Sequence, residues 1–166
     1  MIFVTVGTHE QQFDRLVSEV DRLKGEGRIK EDVFMQVGFS SYVPKNCRWS
    51  QMLPVDKMGE LMNSARIVIT HGGPSSFLSA IQAGKVPIVV PRRKEFGEHV
   101  NNHQVSFCQA VAGRHHNIIL VDDIRKLGDV IEGYEGFAGE MQGTAESNNS
   151  RFVREFTKIA EELVKK

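Results

Sequence analysis

The chain has little cysteine, no long apolar run and no excess of either charge. Two cysteines, Cys47 and Cys108, are too few for a disulfide framework and lack metal-binding spacing, so reduced thiols are expected. No stretch approaches the roughly 20 apolar residues a membrane span requires. Met1 runs straight into Ile2-Phe3-Val4-Thr5-Val6 without a basic leader, so neither a secretory signal nor an anchor is expected. Basic and acidic residues balance at 21 each, which argues against bulk electrostatic binding to nucleic acid. A length of 166 residues fits one domain that can bury its own core. The expectation is a single cytoplasmic domain over 1–166, with 150–166 as a C-terminal helix.

What is there centres on residues 67–91. Ile67-Val68-Ile69 is β-branched and reads as a fully buried parallel strand. It leads through Thr70-His71 to the pair Gly72-Gly73, where backbone can approach a ligand closely. Pro74 suits a first helical position, and Ser75 and Ser76 add hydroxyls at that helix start. A strand, turn and helix so arranged direct free N–H groups and a positive dipole end outward, a site for phosphate. Val86 to Val90 reads as the next strand, and Arg92, Arg93 and Lys94 follow it as candidate partners for the anion. The stretch is one βαβ unit around a phosphorylated ligand.

Ile2 to Val6 reads as the first buried strand, ending at Gly7-Thr8-His9, a second candidate phosphate turn. A helix opening at Glu10 or Gln11 carries Phe13, Leu16, Val17, Val20 and Leu23 on one face. His9 admits three roles: general base, pyrophosphate contact, or surface residue at a helix start. Val33 to Val37 and Arg48 to Met52 are further strands, the second short and near an edge. Asp56 suits the N-cap of a helix through Met62. His99 and His103 are spaced i, i+4, but no third ligand follows a metal pattern, so no metal is expected. Val105 to Ala112 reads as a helix, Ile118 to Val121 as the last strand, and Asp122-Asp123 starts a helix towards Ile131. Gly133 to Asn149 reads as a loop. Together these give an α/β, Rossmann-like three-layer sandwich with a mostly parallel sheet.

The segments Thr70 to Ser76, Ala83-Gly84-Lys85-Val86-Pro87 and Glu98-His99-Val100-Asn101-Asn102-His103-Gln104 resemble the donor-binding, C-terminal half of a GT-B glycosyltransferase. More narrowly they resemble the donor subunits of split UDP-sugar transferases. Those include the small subunit of the dolichol-linked N-acetylglucosaminyltransferase and bacterial capsule and exopolysaccharide transferase subunits. The resemblance implies a UDP-sugar as donor substrate, with no separate cofactor. It places the nucleotide-sugar against Gly7, Thr8, Val55, His71, Gly72, Gly73, Pro74, Ser75, Ser76, Ser79, Arg92, Asn102, His103 and Gln104, with His9 as a catalytic candidate. Within that set, main chain near Pro54-Val55 would hold uracil, and His103-Gln104 would contact sugar and ribose hydroxyls. Ser79 stands where many relatives carry a glutamate for the ribose, a change familiar in the bacterial polysaccharide branch.

The implied function is transfer of a hexose to a polyprenyl-diphosphate-linked saccharide in capsule or exopolysaccharide synthesis, with inversion and without a metal. A membrane-associated acceptor-binding subunit would complete the enzyme and hold this chain at the inner face of the membrane. The final helix, with Phe152, Phe156, Ile159 and Leu163, is the expected docking element. Two other classes share the architecture: a non-catalytic nucleotide-sugar-binding enhancer, and a relative of UDP-sugar epimerases.

Overall fold

The computed structural model describes residues 1–141. The expected C-terminal docking helix lies outside them. Six strands form one sheet: β1 (Ile2–Thr5), β2 (Val33–Gln36), β3 (Arg48–Ser50), β4 (Ile67–His71), β5 (Ile88–Val90) and β6 (Ile119–Leu120). Their order is β3-β2-β1-β4-β5-β6, and every pairing is parallel. The sheet is thus wholly rather than mostly parallel. Between the strands run α1 (Asp14–Gly25), α2 (Val55–Ser64), α3 (Pro74–Gln82) and α4 (His103–His115), and α5 (Leu127–Glu132) follows β6.

Strand alternation sorts the apolar residues into two layers. Ile2, Val4, Ile67, Ile69, Ile88 and Val90 face one way, against Leu16, Val17, Val20 and Leu23 of α1 and Leu127 and Ile131 of α5. Phe3 and Val68 face the other way, against Leu61 and Met62 of α2 and Ala80 of α3. Val89 joins Phe77 and Ile81 of α3 and Cys108 of α4 on that second side. Both faces of the central strands are buried, which is why their sequences read as near-continuous apolar runs. Each buried Leu, Ile or Phe contributes roughly 1.5–3 kcal/mol of transfer free energy.

Several boundaries differ from the sequence expectation, each for a local reason. α1 begins at Asp14 rather than Glu10, because the Gln12 side chain accepts the Asp14 N–H at 2.7 Å and holds residues 10–13 outside the helix. Pro54, not Asp56, takes the N-cap position of α2; its extended backbone turns the chain in, and Asp56 sits in the first turn where an acid suits the dipole. α4 starts two residues early, where Asn101 Oδ1 accepts the His103 N–H. After Asp123 a 3-10 turn over Ile124–Lys126 precedes α5. Residues 134–141 are helical, not loop. Buried Tyr134 and Ala138 stand one turn apart there, and the Tyr134 hydroxyl donates to the Val86 carbonyl. Among the described residues, no helix is long and apolar enough to cross a membrane.

Candidate functional site

In this strand order the chain reverses its direction of winding between β1 and β4, and neighbouring crossovers leave a crevice at the carboxyl ends of those strands. A cavity of about 410 Å³ lies there. The loop after β1 contributes Gly7, Thr8 and His9, β4 contributes His71, α3 contributes Ser75, Ser76 and Ser79, and α2 contributes Met58 and Met62. Two turns separated by more than 60 residues in sequence therefore wall one site.

His71 is its structural centre. It is buried at the end of β4, with Nδ1 accepting the Gly73 N–H at 3.0 Å. A nitrogen that accepts carries no proton, so the neutral ring bears its hydrogen on Nε2. Nε2 lies 2.9 Å from Ser76 Oγ and donates to it. That bond fills an acceptor position of the hydroxyl and leaves the Ser76 proton free to donate into the cavity. Burial, followed by the nearby Arg92 charge, pushes the His71 pKa down to about 4, so the ring is neutral at physiological pH.

The glycines serve this ring. A Cβ on Gly7 or on Gly73 would strike the His71 imidazole, and Gly7 also holds φ +76°. A Cβ on Gly72 would lie 2.8 Å from the Cys108 sulfur on α4. The glycine pair thus admits internal neighbours, rather than clearing a path for a ligand as expected. The backbone amides are also partly spent: Gly73 donates to His71, Ser76 donates to the Gly73 carbonyl, and Pro74 has none. The Ser75 N–H and the hydroxyls of Thr8, Ser75 and Ser76 remain as the donors on this wall. Ser79 Oγ donates to the Ser75 carbonyl one turn back.

Arg92 departs most from the expectation of a cation facing the pyrophosphate. Its side chain is wholly buried. Nη1 donates to the carbonyls of Gln11, Gln12 and Glu98, and Nη2 to that of Val6, all at 2.8–3.1 Å. The guanidinium lies 4.8 Å from the Phe13 ring centroid, and burial lowers its pKa to about 10. Arg92 ties the loop after β1 to the loop after β5 and is not among the residues that line the cavity. Arg93 is engaged as well, pairing with Glu95 and Asp122.

The other expected contacts lie outside the cavity wall. Val55, 90% exposed, opens α2, one turn before cavity-lining Met58. Asn102 accepts the Lys94 N–H and donates to Glu95. His103 is exposed at the start of α4. Gln104 accepts the Arg92 N–H through Oε1, leaving its amide hydrogens available. Pro74 sits at the first turn of α3.

Three residues around the site have roles that the sequence reading did not assign to them. Gln36 accepts from the Thr5 hydroxyl at 2.6 Å and donates to the Gly7 carbonyl, pinning the turn after β1. Glu98, wholly buried, takes two bonds from Arg15 and one from the Arg93 N–H. His99 lies against His9, with ring centroids 4.9 Å apart and the rings tilted by 43°. A polar residue ending an apolar strand signals the first; the other two depend on loop packing and leave no mark in local sequence.

The chain matches the glycosyltransferase family 28 C-terminal domain over residues 1–163. It belongs to that family. Its fold is that of the C-terminal domain of GT-B glycosyltransferases. Among solved structures, the family 28 domain is similar to the glycotransferase of kitacinnamycin, at 16% identity and TM-score 0.52, over 86% of this chain and 39% of that one. It is also similar to the spinosyn forosaminyltransferase SpnP, at 16% identity and TM-score 0.50, over 92% of this chain and 43% of that one. The chain thus spans about two fifths of each protein's length. No curated protein matches it in sequence.

Proposed function

We propose that this family 28 domain binds a UDP-sugar in the cavity between the Gly7-Thr8-His9 turn and α3, as the donor half of a hexosyltransferase. The supporting observation is the cavity itself. It stands at the switch point of a parallel sheet, faces the N-terminus of a nine-residue helix, and is walled by the hydroxyls of Thr8, Ser75 and Ser76, whose donor protons are unspent. The diphosphate lies against Thr8, Ser75 and Ser76, where the helix dipole and short donors meet developing negative charge as UDP departs. Uracil lies towards the main chain of Pro54 and Val55, and the sugar towards His103 and the free amide of Gln104. The displacement inverts the anomeric carbon and requires no metal.

The acceptor in this reading is a polyprenyl-diphosphate-linked saccharide of capsule or exopolysaccharide synthesis. A membrane-associated acceptor-binding subunit carries it and holds the domain at the inner membrane face. The test is calorimetric titration with UDP, followed by transfer assays from UDP-hexoses with the chain alone and with its partner. UDP binding, with transfer only when both are present, supports the reading. An absence of UDP binding overturns it, and isomerisation of the sugar without acceptor replaces it with an epimerase.

A further inference from the structure

The cavity has an unmet electrostatic requirement. A diphosphate diester carries two negative charges, yet among the described residues no Lys or Arg lines the cavity. Arg92, the cation expected to face the diphosphate, is buried and committed to four backbone carbonyls. Glu98 is turned away, its carboxylate held by Arg15 and the Arg93 N–H. The cavity walls from α2 and α3 contribute only Met58, Met62 and serines. His71 lines the cavity, but both its ring nitrogens are engaged.

Two half-buried imidazoles remain, His9 in the cavity wall and His99 against it. They come from the loops after β1 and β5, the two loops that Arg92 ties together. Each has the same local turn: Nδ1 of His9 accepts the Gln11 N–H, and Nδ1 of His99 accepts the Asn101 N–H, both at a long 3.3 Å. Rings this close cannot both be charged cheaply, so a single shared charge is favoured over two.

We propose that His9 and His99 form a proton-sharing pair that supplies the positive charge of this cavity, taking up one proton from solvent when an anionic diphosphate binds. This rests on the donor-site reading above and makes His9 the ligand contact, with His99 a positioning residue that sets when His9 charges. Burial, then the nearby His9 and Arg92 charges, already holds the His99 pKa below its ordinary value, so its charged form is disfavoured before an anion arrives. A bound anion reverses that balance. The arriving proton occupies an Nδ1, displacing the weak backbone bond there and freeing the Gln11 or Asn101 N–H. Ligand charge is thereby coupled to the conformation of a loop beside the cavity.

The probe is the methyl ester of UDP, whose diphosphate is a diester and does not itself titrate near neutrality. Calorimetry from pH 6 to 8 in buffers of differing ionisation enthalpy reads both affinity and protons taken up. Wild type should take up a fraction of a proton approaching one, with affinity falling up to about tenfold per pH unit as the bound pair deprotonates. His9→Gln/His99→Gln should bind with no uptake and a flat profile. His99→Gln alone should move the midpoint of the His9 ring titration, followed by NMR, upward, because a like charge has gone. Thermal melts of each variant check that it is folded. Wild type that binds with no proton uptake overturns the pair, as does a His99→Gln profile that coincides with wild type. Failure of wild type to bind UDP or its methyl ester overturns the donor-site reading and this inference with it.

Discussion

The Gly73 N–H donates to Nδ1 of His71, and a Cβ at position 73 would run into the same imidazole. Backbone and ring are therefore fitted to each other before any ligand arrives. Gly73→Ala must displace the ring and break the bond that fixes its tautomer. We expect a loss of about 1–3 kcal/mol in denaturant unfolding, the usual range for overpacking. Combined with His71→Ala, the clash has no partner, so the double variant should be no less stable than His71→Ala alone. A double variant that is additive with the two singles would refute this coupling.

His71 should also leave a signature in stability against pH. Its folded pKa of about 4 lies below the ordinary histidine value of 6.5. The neutral form is favoured by folding, so its contribution is complete above pH 6.5 and is lost as pH falls through the folded value. The interval corresponds to roughly 3 kcal/mol. His71→Gln should flatten the stability profile between pH 6.5 and 4; an unchanged slope would mean that the ring is not held neutral.

Arg92→Lys should destabilise the fold rather than weaken nucleotide binding selectively. An ammonium cannot reproduce a planar fork directed at four carbonyls, and the carbonyls left unpaired are buried. We expect a cost of about 3 kcal/mol or more, with Arg92→Met comparable. A stable Arg92→Lys protein that has lost only UDP affinity would restore the expectation of a ligand-facing cation.

Ser75→Ala and Ser76→Ala should separate ligand binding from internal support. Ser75 is exposed and its hydroxyl supports no other side chain, so its removal should weaken UDP binding by about 1 kcal/mol, some five- to tenfold, at unchanged stability. Ser76 also accepts from His71. Its removal should lower both affinity and melting temperature. Equal UDP titrations for wild type and both variants would remove the diphosphate from this wall.

Asp21 offers a control far from the cavity. Burial alone would raise its pKa, but N–H bonds from Lys45 and Asn46 and the Tyr42 hydroxyl bring it below the ordinary value. Asp21→Ala should leave these donors unpaired, destabilise by about 2–3 kcal/mol, and leave UDP affinity in the folded protein unchanged. A selective loss of UDP affinity would link the 42–47 loop to the site.

The sequence by itself determined the layers. Apolar strands buried on both faces and amphipathic helices between them specify a parallel α/β sheet, because such strands need cover on both sides. The Pro74 start of α3 was legible for a local reason, since proline fits a first turn. The tertiary structure decided what the polar residues near the cleft do. Nothing local in Pro91-Arg92-Arg93-Lys94 tells which guanidinium points inward; that follows from carbonyls at Val6, Gln11 and Gln12, some 80 residues away. The glycine pair read as a ligand approach because the ring it accommodates is positioned only once β4 lies beside β1. His9 and His99 meet only because two strand-end loops converge. Periodicity reports which side of an element is buried, whereas a site depends on loop ends that sequence spacing does not relate.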